Sequence, residues 1–278
     1  MAYIHAEVIR MKDNSASSIA ASLAESINAL RSDEAYMHYL QLMARFHHYS
    51  SRNTLLIYHQ MPEATYVAGY RTWQDTFDRH VRRGEKAIRI FAPMKKKNDE
   101  DLKGFRCISV FDVSQTEGRP LPSLVEEKIR GVIEDEEAFT AALIHSCPVP
   151  VVFRKDLTVH GLYDPRAGQI QIRADMESRL AIRTLIHETA HAILHGSDRE
   201  KSRRRKEVEA ESVAYTVSSH YGLDTSAYSF GYIAGWMEGM SPADLSASFH
   251  DIVRTSDTII AALDDLLLPK VSDHVKAS

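Results

Sequence analysis

Residues 184–195, "TLIHETAHAILH", place the tightest constraint on what this chain can fold into. Leu185, Ile186, Ala190, Ile193 and Leu194 recur at helical spacing, so the segment reads as a helix packed into a core. Yet His187, Glu188, His191 and His195 sit among them, and burying imidazoles and a carboxylate is costly unless they are partnered. The spacing says what the partner is. Residues four apart share a helix face, about 6 Å from one another, so His187 and His191 of the H-E-x-x-H pattern can grip one metal ion. Glu188, rotated by about 100° from His187, is placed for a water beside the ion.

Composition alone would yield this five-residue pattern in roughly one such chain in twenty, so a second helix must complete the site. Residues 206–215, "KEVEAESVAY", provide it. Glu207 is the third metal ligand, leaving the open fourth position that a catalytic zinc needs. Glu211, one turn on, accepts the free ring N–H of a ligand histidine. Glu209 is the alternative third ligand, one slip of register away. His195 lies eight residues after His187, about 12 Å along the helix, and reads as a helix-end histidine beside Gly196. Tyr215 and His220 are candidates for stabilising an oxyanion. Two imidazoles and a carboxylate suit Zn2+ and admit Mn2+ or Fe2+. The chain has two cysteines, Cys107 and Cys147, which excludes a disulfide framework or a cysteine-rich metal site.

Elsewhere, helical patterns are expected over 16–30, over 34–60 with a break near Ser50–Asn53, around 134–146, 177–195, 205–221 and 230–238, and over 241–267. Short strands are expected at "ATYVAGY", "KAIRIFAPM", "FRCISVFDV" and "PVPVVF", with a hairpin in "GLYDPRAGQIQIRA". Residues 114–123, "SQTEGRPLPS", read as a linker, and the basic run at 202–206 as a solvated loop. No apolar run approaches about 18 residues and no secretory signal opens the chain, so a cytoplasmic protein that does not enter membranes is expected.

Between Arg71 and Arg106 there are 11 Lys and Arg against 6 Asp and Glu, in a chain of net charge -4. Tyr58, Tyr66, Tyr70, Trp73 and Phe77 interleave with these cations, a composition suited to single-stranded nucleic acid. The stretch "SSRNTLLIYHQMPEATYVAGYRTWQ", then "VRRGEKAIRIFAP" and "VFDVSQTEG", resembles the N-terminal domain of the ArdC antirestriction family. That resemblance implies a single-stranded-DNA-binding domain followed by a zinc metallopeptidase domain of the SprT or ImmA/IrrE type. It gives His187, His191 and Glu207 as metal ligands and Glu188 as acid/base. Arg52, Asn53, Tyr70, Arg71, Trp73, Arg82, Arg83, Lys86 and Arg89 are the expected DNA contacts.

The fold expected is α+β: an N-terminal α+β domain over 1–122, then a mainly helical zincin-like domain with a small antiparallel sheet over 123–278. The function expected is a DNA-associated zinc metalloendopeptidase acting on a protein substrate. One alternative is a DNA-coating antirestriction protein with a vestigial metal site. Another is a repressor-cleaving regulator like ImmA.

Overall fold

The structure, a computed structural model, describes residues 14–96, 99–121, 133, 135–196, 200–223, 225, 236–237 and 239–267. It is α+β, and it divides into two compact units: 1–131 with 228–254, and 132–227 with 255–278.

The first unit opens with helices α1 (Asn14–Ala29), α2 (Asp33–Arg45) and α3 (Ser51–Gln60). Ser32 and Ser50 cap α2 and α3, their hydroxyls accepting from the N–H groups of Ala35 and Asn53. The expected break near Ser50–Asn53 is therefore an N-cap, and the break itself spans 46–50. Strand β1 (Val67–Gly69), helix α4 (Tyr70–Asp75) and strands β2 (Arg79–Val81), β3 (Ile88–Lys96), β4 (Asp99–Asp112) and β5 (Thr116–Gly118) follow. They form an antiparallel sheet ordered β1-β4-β3 and a separate β2-β5 pair.

Directly paired residues of an antiparallel sheet share a face. Ile88, Ile90 and Val110 are buried on one face, where the register Ile88↔Val110 and Ile90↔Ile108 places them. Strand β3 is an outer strand, and α3 covers its free edge. Phe91 donates its N–H to Asn53 Oδ1 and accepts from Asn53 Nδ2, both at 2.9 Å. Gln60 does the same for Arg89, at 2.8 and 3.0 Å. Two side-chain amides thus stand in for a neighbouring strand and block edge-to-edge pairing.

The segment expected as a linker is built into this unit as far as it is described. Asp112 is buried, and its carboxylate accepts from the N–H groups of Thr65, Tyr66 and Ser114. Gln115 closes a capping box with it across a 3-10 turn, Val113–Gln115, which leads straight into β5. The remaining linker residues, 122–123, lie outside the described residues. The compact units also differ from the expected continuous domains, because 228–254 groups with the first unit. An aromatic cluster accounts for this: Tyr36 meets Trp236 and Phe249 with ring centroids 5.9 and 6.3 Å apart, and Tyr39 meets Phe249 at 5.7 Å. Most of the helix expected at 230–238 lies outside the described residues.

The second unit contains helix α5 (Glu136–Ser146), strands β6 (Val151–Arg154), β7 (Gly161–Asp164) and β8 (Gln169–Arg173), and helices α6 (Ser178–His195) and α7 (Arg203–His220). A long helix, α8 (Pro242–Leu267), enters it from Thr255 on. The hairpin β7–β8 forms as expected. Asp164 Oδ1 holds its turn by accepting from Arg166 and Ala167 N–H, and Gly168 takes the positive φ of 62°.

The sheet is not wholly antiparallel, however. Its order is β6-β8-β7, with β6 parallel to β8. Strand β8 is central because Ile170, Gln171 and Ile172 are all buried, which suits a strand flanked on both sides. Strand β7 is left at the edge, where Gly161 packs so closely on Thr184 of α6 that an added Cβ would lie 2.6 Å from the Thr184 methyl. The basic run at 202–206 is likewise not a loop: Ser202 caps α7, and the arginines form its first turn. Among the described residues no helix is long and apolar enough to cross a membrane.

Candidate metal centre

Helix α6 is capped by the Glu177 carboxylate, which accepts from Arg179 and Leu180 N–H. Its inner face buries Ile182, Leu185, Ile186, Thr189 and Ala190, and α7 buries Ala210, Val213, Ala214 and Val217. These two faces pack α6 and α7 together and turn His187, His191 and Glu207 towards one point. One ligand atom from each lies within 4.8 Å of the others. The two Nε2 atoms are 3.1 Å apart, and Glu207 Oε2 is 3.7 Å from His187 Nε2 and 3.6 Å from His191 Nε2. A single tetrahedral ion with bonds of about 2.1 Å needs donors roughly 3.4 Å apart, so this set fits one divalent cation.

The electrostatics agree with such a fit. Burial pulls the His187 imidazolium down, but hydrogen bonds to Glu207 and Glu211 outweigh it and raise its pKa to about 9. Those same bonds, to His187 first and His191 second, hold the Glu207 carboxyl far below its usual range. Positive charge at His187 is thus stabilised by the neighbouring carboxylates, an environment that suits a cation. Glu188, beside them, is buried, and burial raises its pKa against the opposing pull of His187, His191 and a backbone donor. That donor is the N–H of Tyr163 on β7, 2.7 Å from Glu188 Oε2. Nothing in the sequence around residue 188 pointed to Tyr163, since the contact depends on β7 being the edge strand.

Each of these two histidines is supported at its other nitrogen. His187 Nδ1 lies 3.0 Å from Glu211 Oε2, the partner expected for a ligand histidine. His191 Nδ1 lies 3.0 Å from His195 Nδ1, and His195 Nε2 lies 3.0 Å from Glu209 Oε2. Glu209, the alternative ligand, is thus turned away from the centre. It is 0% exposed and also accepts from Lys201 Nζ and Arg205 Nε, both at 2.9 Å. His195 lies outside the three-donor cluster, and it is more than a helix-end histidine: it is buried, with its Nδ1 against His191. Burial lowers its pKa. The expected helpers fare less well. Tyr215 is fully buried within α7, and His220 packs edge-on against Tyr221, with ring centroids 4.8 Å apart, about 20 Å along the helix from Glu207.

In the first unit the expected DNA contacts separate into groups. Trp73 is fully buried and its indole N–H donates to Phe111 O at 2.9 Å, so no base can stack on it. Asn53 is 8% exposed and commits its amide to Phe91, which removes it as a strand contact. Arg82 is held by Glu85 and by Ser114 O, and Arg52 is half-buried. Tyr70, Arg71, Arg83, Lys86 and Arg89 are exposed.

Three aromatic residues join them that the composition did not single out. The register Ala68↔Phe111, Phe91↔Cys107 and Pro93↔Phe105 puts Phe91, Phe105 and Phe111 on the sheet face that also carries Arg89. Phe105 is 37% exposed, Phe91 and Phe111 are half-buried, and Tyr70, 48% exposed, meets Phe111 edge-on.

Residues 11–128 match the family model described as the N-terminal domain of anti-restriction factor ArdC. The N-terminal part of the chain is thus similar to that domain of ArdC. The chain's fold is similar to the Mn(II)-bound crystal structure of the antirestriction protein ArdC from the R388 plasmid, with a TM-score of 0.52 and 20% identity over 78% of this chain and 84% of that one. The metal-free structure of the same protein aligns at a TM-score of 0.49, with 19% identity over 78% and 85% of the two chains. An uncharacterised Bacillus anthracis protein, pXO2-81, is 27% identical over 84% of this chain. This chain spans about half the length of that curated relative, 48%. The family match takes in every expected DNA contact, from Arg52 to Arg89, and stops short of α6 and α7. The metal centre of this chain therefore rests on its own geometry.

Proposed function

We propose that this protein is an antirestriction factor that binds single-stranded DNA and hydrolyses peptide bonds in a protein substrate. Strand binding is assigned to 1–122 and peptide chemistry to 123–278. The observation that carries the reading is the convergence of His187 Nε2, His191 Nε2 and Glu207 Oε2 beside a buried Glu188. The Mn(II)-bound state of the R388 protein supports a divalent cation in a fold of this kind. His187, His191 and Glu207 would hold it, with zinc as the working metal and manganese or iron as substitutes.

A cation held there supplies Lewis acidity, which polarises a peptide carbonyl and acidifies a water. The residues do the rest. Glu188 Oε2 is fixed by Tyr163 N–H, which leaves Oε1 to take the proton of the attacking water and hand it to the leaving amine. The raised pKa of Glu188 brings it nearer to what that dual role needs. Glu211 holds the His187 ring in place. On the first unit, Tyr70 and Phe105 offer faces on which bases stack, while Arg71, Arg83, Lys86 and Arg89 follow the phosphates.

Glu188→Gln tests the two parts separately. The variant should keep metal content and single-strand affinity and lose peptide cleavage; cleavage that persists would refute the acid/base assignment. The exposed aromatic face also favours a second reading, in which coating of the incoming strand protects it unaided. Under that reading Glu188→Gln protects DNA as well as wild type does.

A further inference from the structure

We propose that His195 and Glu209 are positioning residues for the metal centre, a relay that fixes which nitrogen of His191 faces the ion. The inference rests on the metal-centre reading above and extends it to two residues that reading does not use. With Glu209 a carboxylate and one proton on each ring, the contacts allow a single arrangement of protons. An ionised carboxylate can only accept, so the 3.0 Å contact between Glu209 Oε2 and His195 Nε2 requires the His195 proton on Nε2. His195 Nδ1 is then a bare lone pair. The 3.0 Å contact between that atom and His191 Nδ1 requires the His191 proton on Nδ1. His191 Nε2 is therefore the lone pair, and Nε2 is the atom 3.1 Å from His187 Nε2 and 3.6 Å from Glu207 Oε2. A carboxylate buried two imidazoles away thus dictates the tautomer that a metal needs.

The cost of the arrangement argues for a purpose. The Glu209 side chain is 0% exposed and that of His195 only 4%. A buried ionised group is expensive, and apolar side chains of similar volume would fill the same space more cheaply. The chain instead spends two cations on it: Lys201 Nζ, just before α7, and Arg205 Nε, in its first turn, each 2.9 Å from a Glu209 oxygen. Their donated hydrogen bonds hold the Glu209 carboxylate in place beside His195. Helix α6 contributes a histidine every fourth residue, at 187, 191 and 195, so that one face of the helix carries the two inner rings and the ring that aligns the second of them. His187 needs no such extension, because Glu211 reaches its Nδ1 directly.

The test uses the full chain and Zn2+ or Mn2+ alone as the probe. His195→Phe keeps the ring volume and removes the acceptor, whereas His195→Gln offers an amide oxygen to His191 and an amide N–H to Glu209. Metal affinity should fall about 10–100-fold in His195→Phe and recover to within about threefold of wild type in His195→Gln. Both variants should retain the circular dichroism of the metal-free wild type, with a lowered thermal midpoint in His195→Phe, which leaves two buried polar atoms unpaired. Independently, ¹⁵N-detected imidazole spectra of the metal-free wild type should show the proton on Nδ1 of His191 and on Nε2 of His195. Spectra with the His191 proton on Nε2 overturn the relay, whether or not the variants fold. So does an unchanged affinity in a folded His195→Phe. Wild-type protein that takes up neither metal overturns the metal-centre reading itself, even where the tautomers are as drawn.

Discussion

Asn53 is the residue at which a structural and a DNA-binding role make opposite predictions. Its amide gives two hydrogen bonds of 2.9 Å to the Phe91 backbone, on the outer edge of β3, and it is 8% exposed. Asn53→Ala removes both bonds and strands an N–H and a carbonyl where little water reaches. At about 1–3 kcal/mol for each group left unsatisfied, the two together should cost about 2–6 kcal/mol. Gln60 makes the equivalent pair with Arg89, at 2.8 and 3.0 Å, but on an exposed surface. Water replaces it there, so Gln60→Ala should cost less than about 1 kcal/mol. Urea unfolding reads the totals, and native-state amide exchange at Phe91 and Arg89 assigns them to the edge. Single-strand affinity of folded Asn53→Ala should match wild type. Unfolding that is unmoved, together with a tenfold loss of strand binding, would refute the edge-capping account and restore Asn53 as a DNA contact.

Three further outcomes follow from the geometry. Tyr70→Ala and Phe105→Ala should each weaken binding of a short single strand by about 1–3 kcal/mol without unfolding the protein, whereas Trp73→Ala should lower stability by about 3–5 kcal/mol. Fluorescence anisotropy paired with thermal melts separates the two effects. Gly161→Ala puts a methyl 2.6 Å from Thr184 Cγ2 and 3.0 Å from Ile172 Cδ1, so it should cost about 1–3 kcal/mol and speed amide exchange at Tyr163 as β7 is pushed off α6. The buried Tyr221 hydroxyl donates to Asp264 at 2.8 Å, and burial first, then the Asp264 charge, raises its pKa far above the phenol range. A raised folded-state value means this contribution is whole below pH about 10 and is lost as pH climbs beyond it, so the alkaline decline in stability should flatten in Tyr221→Phe.

In the first unit, local chemistry was legible and its partners were not. The alternation in "KAIRIF" puts Ile88 and Ile90 on the buried face, and the structure agrees. An aromatic residue among arginines looks the same in a sequence whether it stacks on bases or fills a core. Trp73 is decided by a carbonyl at Phe111, and Asn53 by backbone at Phe91, each 38 residues away. Phe91, Phe105 and Phe111 share a face only once the β3–β4 register is known. The linker reading failed for a related reason. Serine, glycine and polar residues after Asp112 have the composition of a flexible joint, but the Asp112–Gln115 capping box makes them a tight turn. Turn chemistry and linker chemistry draw on the same residues.

At the metal centre the inner layer was legible because helix geometry is local. His187, His191 and Glu188 are fixed by 3.6 residues per turn, and Glu207 and Glu211 repeat the same spacing on the next helix. The outer layer needs the pairing of the two helices. The 12 Å reach that excludes His195 as a ligand is sound as far as it goes, since His195 and His187 cannot share an ion. It leaves open that a residue one turn beyond a ligand can still touch that ligand, and this is what His195 does at 3.0 Å. Glu209 was weighed as a ligand on spacing alone. Spacing along α7 puts Glu207 and Glu209 about 200° apart, on opposite sides of the helix, but it does not say which side meets the histidines of α6. Lys201 and Arg205 break the tie. Both bind Glu209, while Glu207 Oε2 is the carboxylate oxygen that lies 3.7 and 3.6 Å from the His187 and His191 Nε2 atoms.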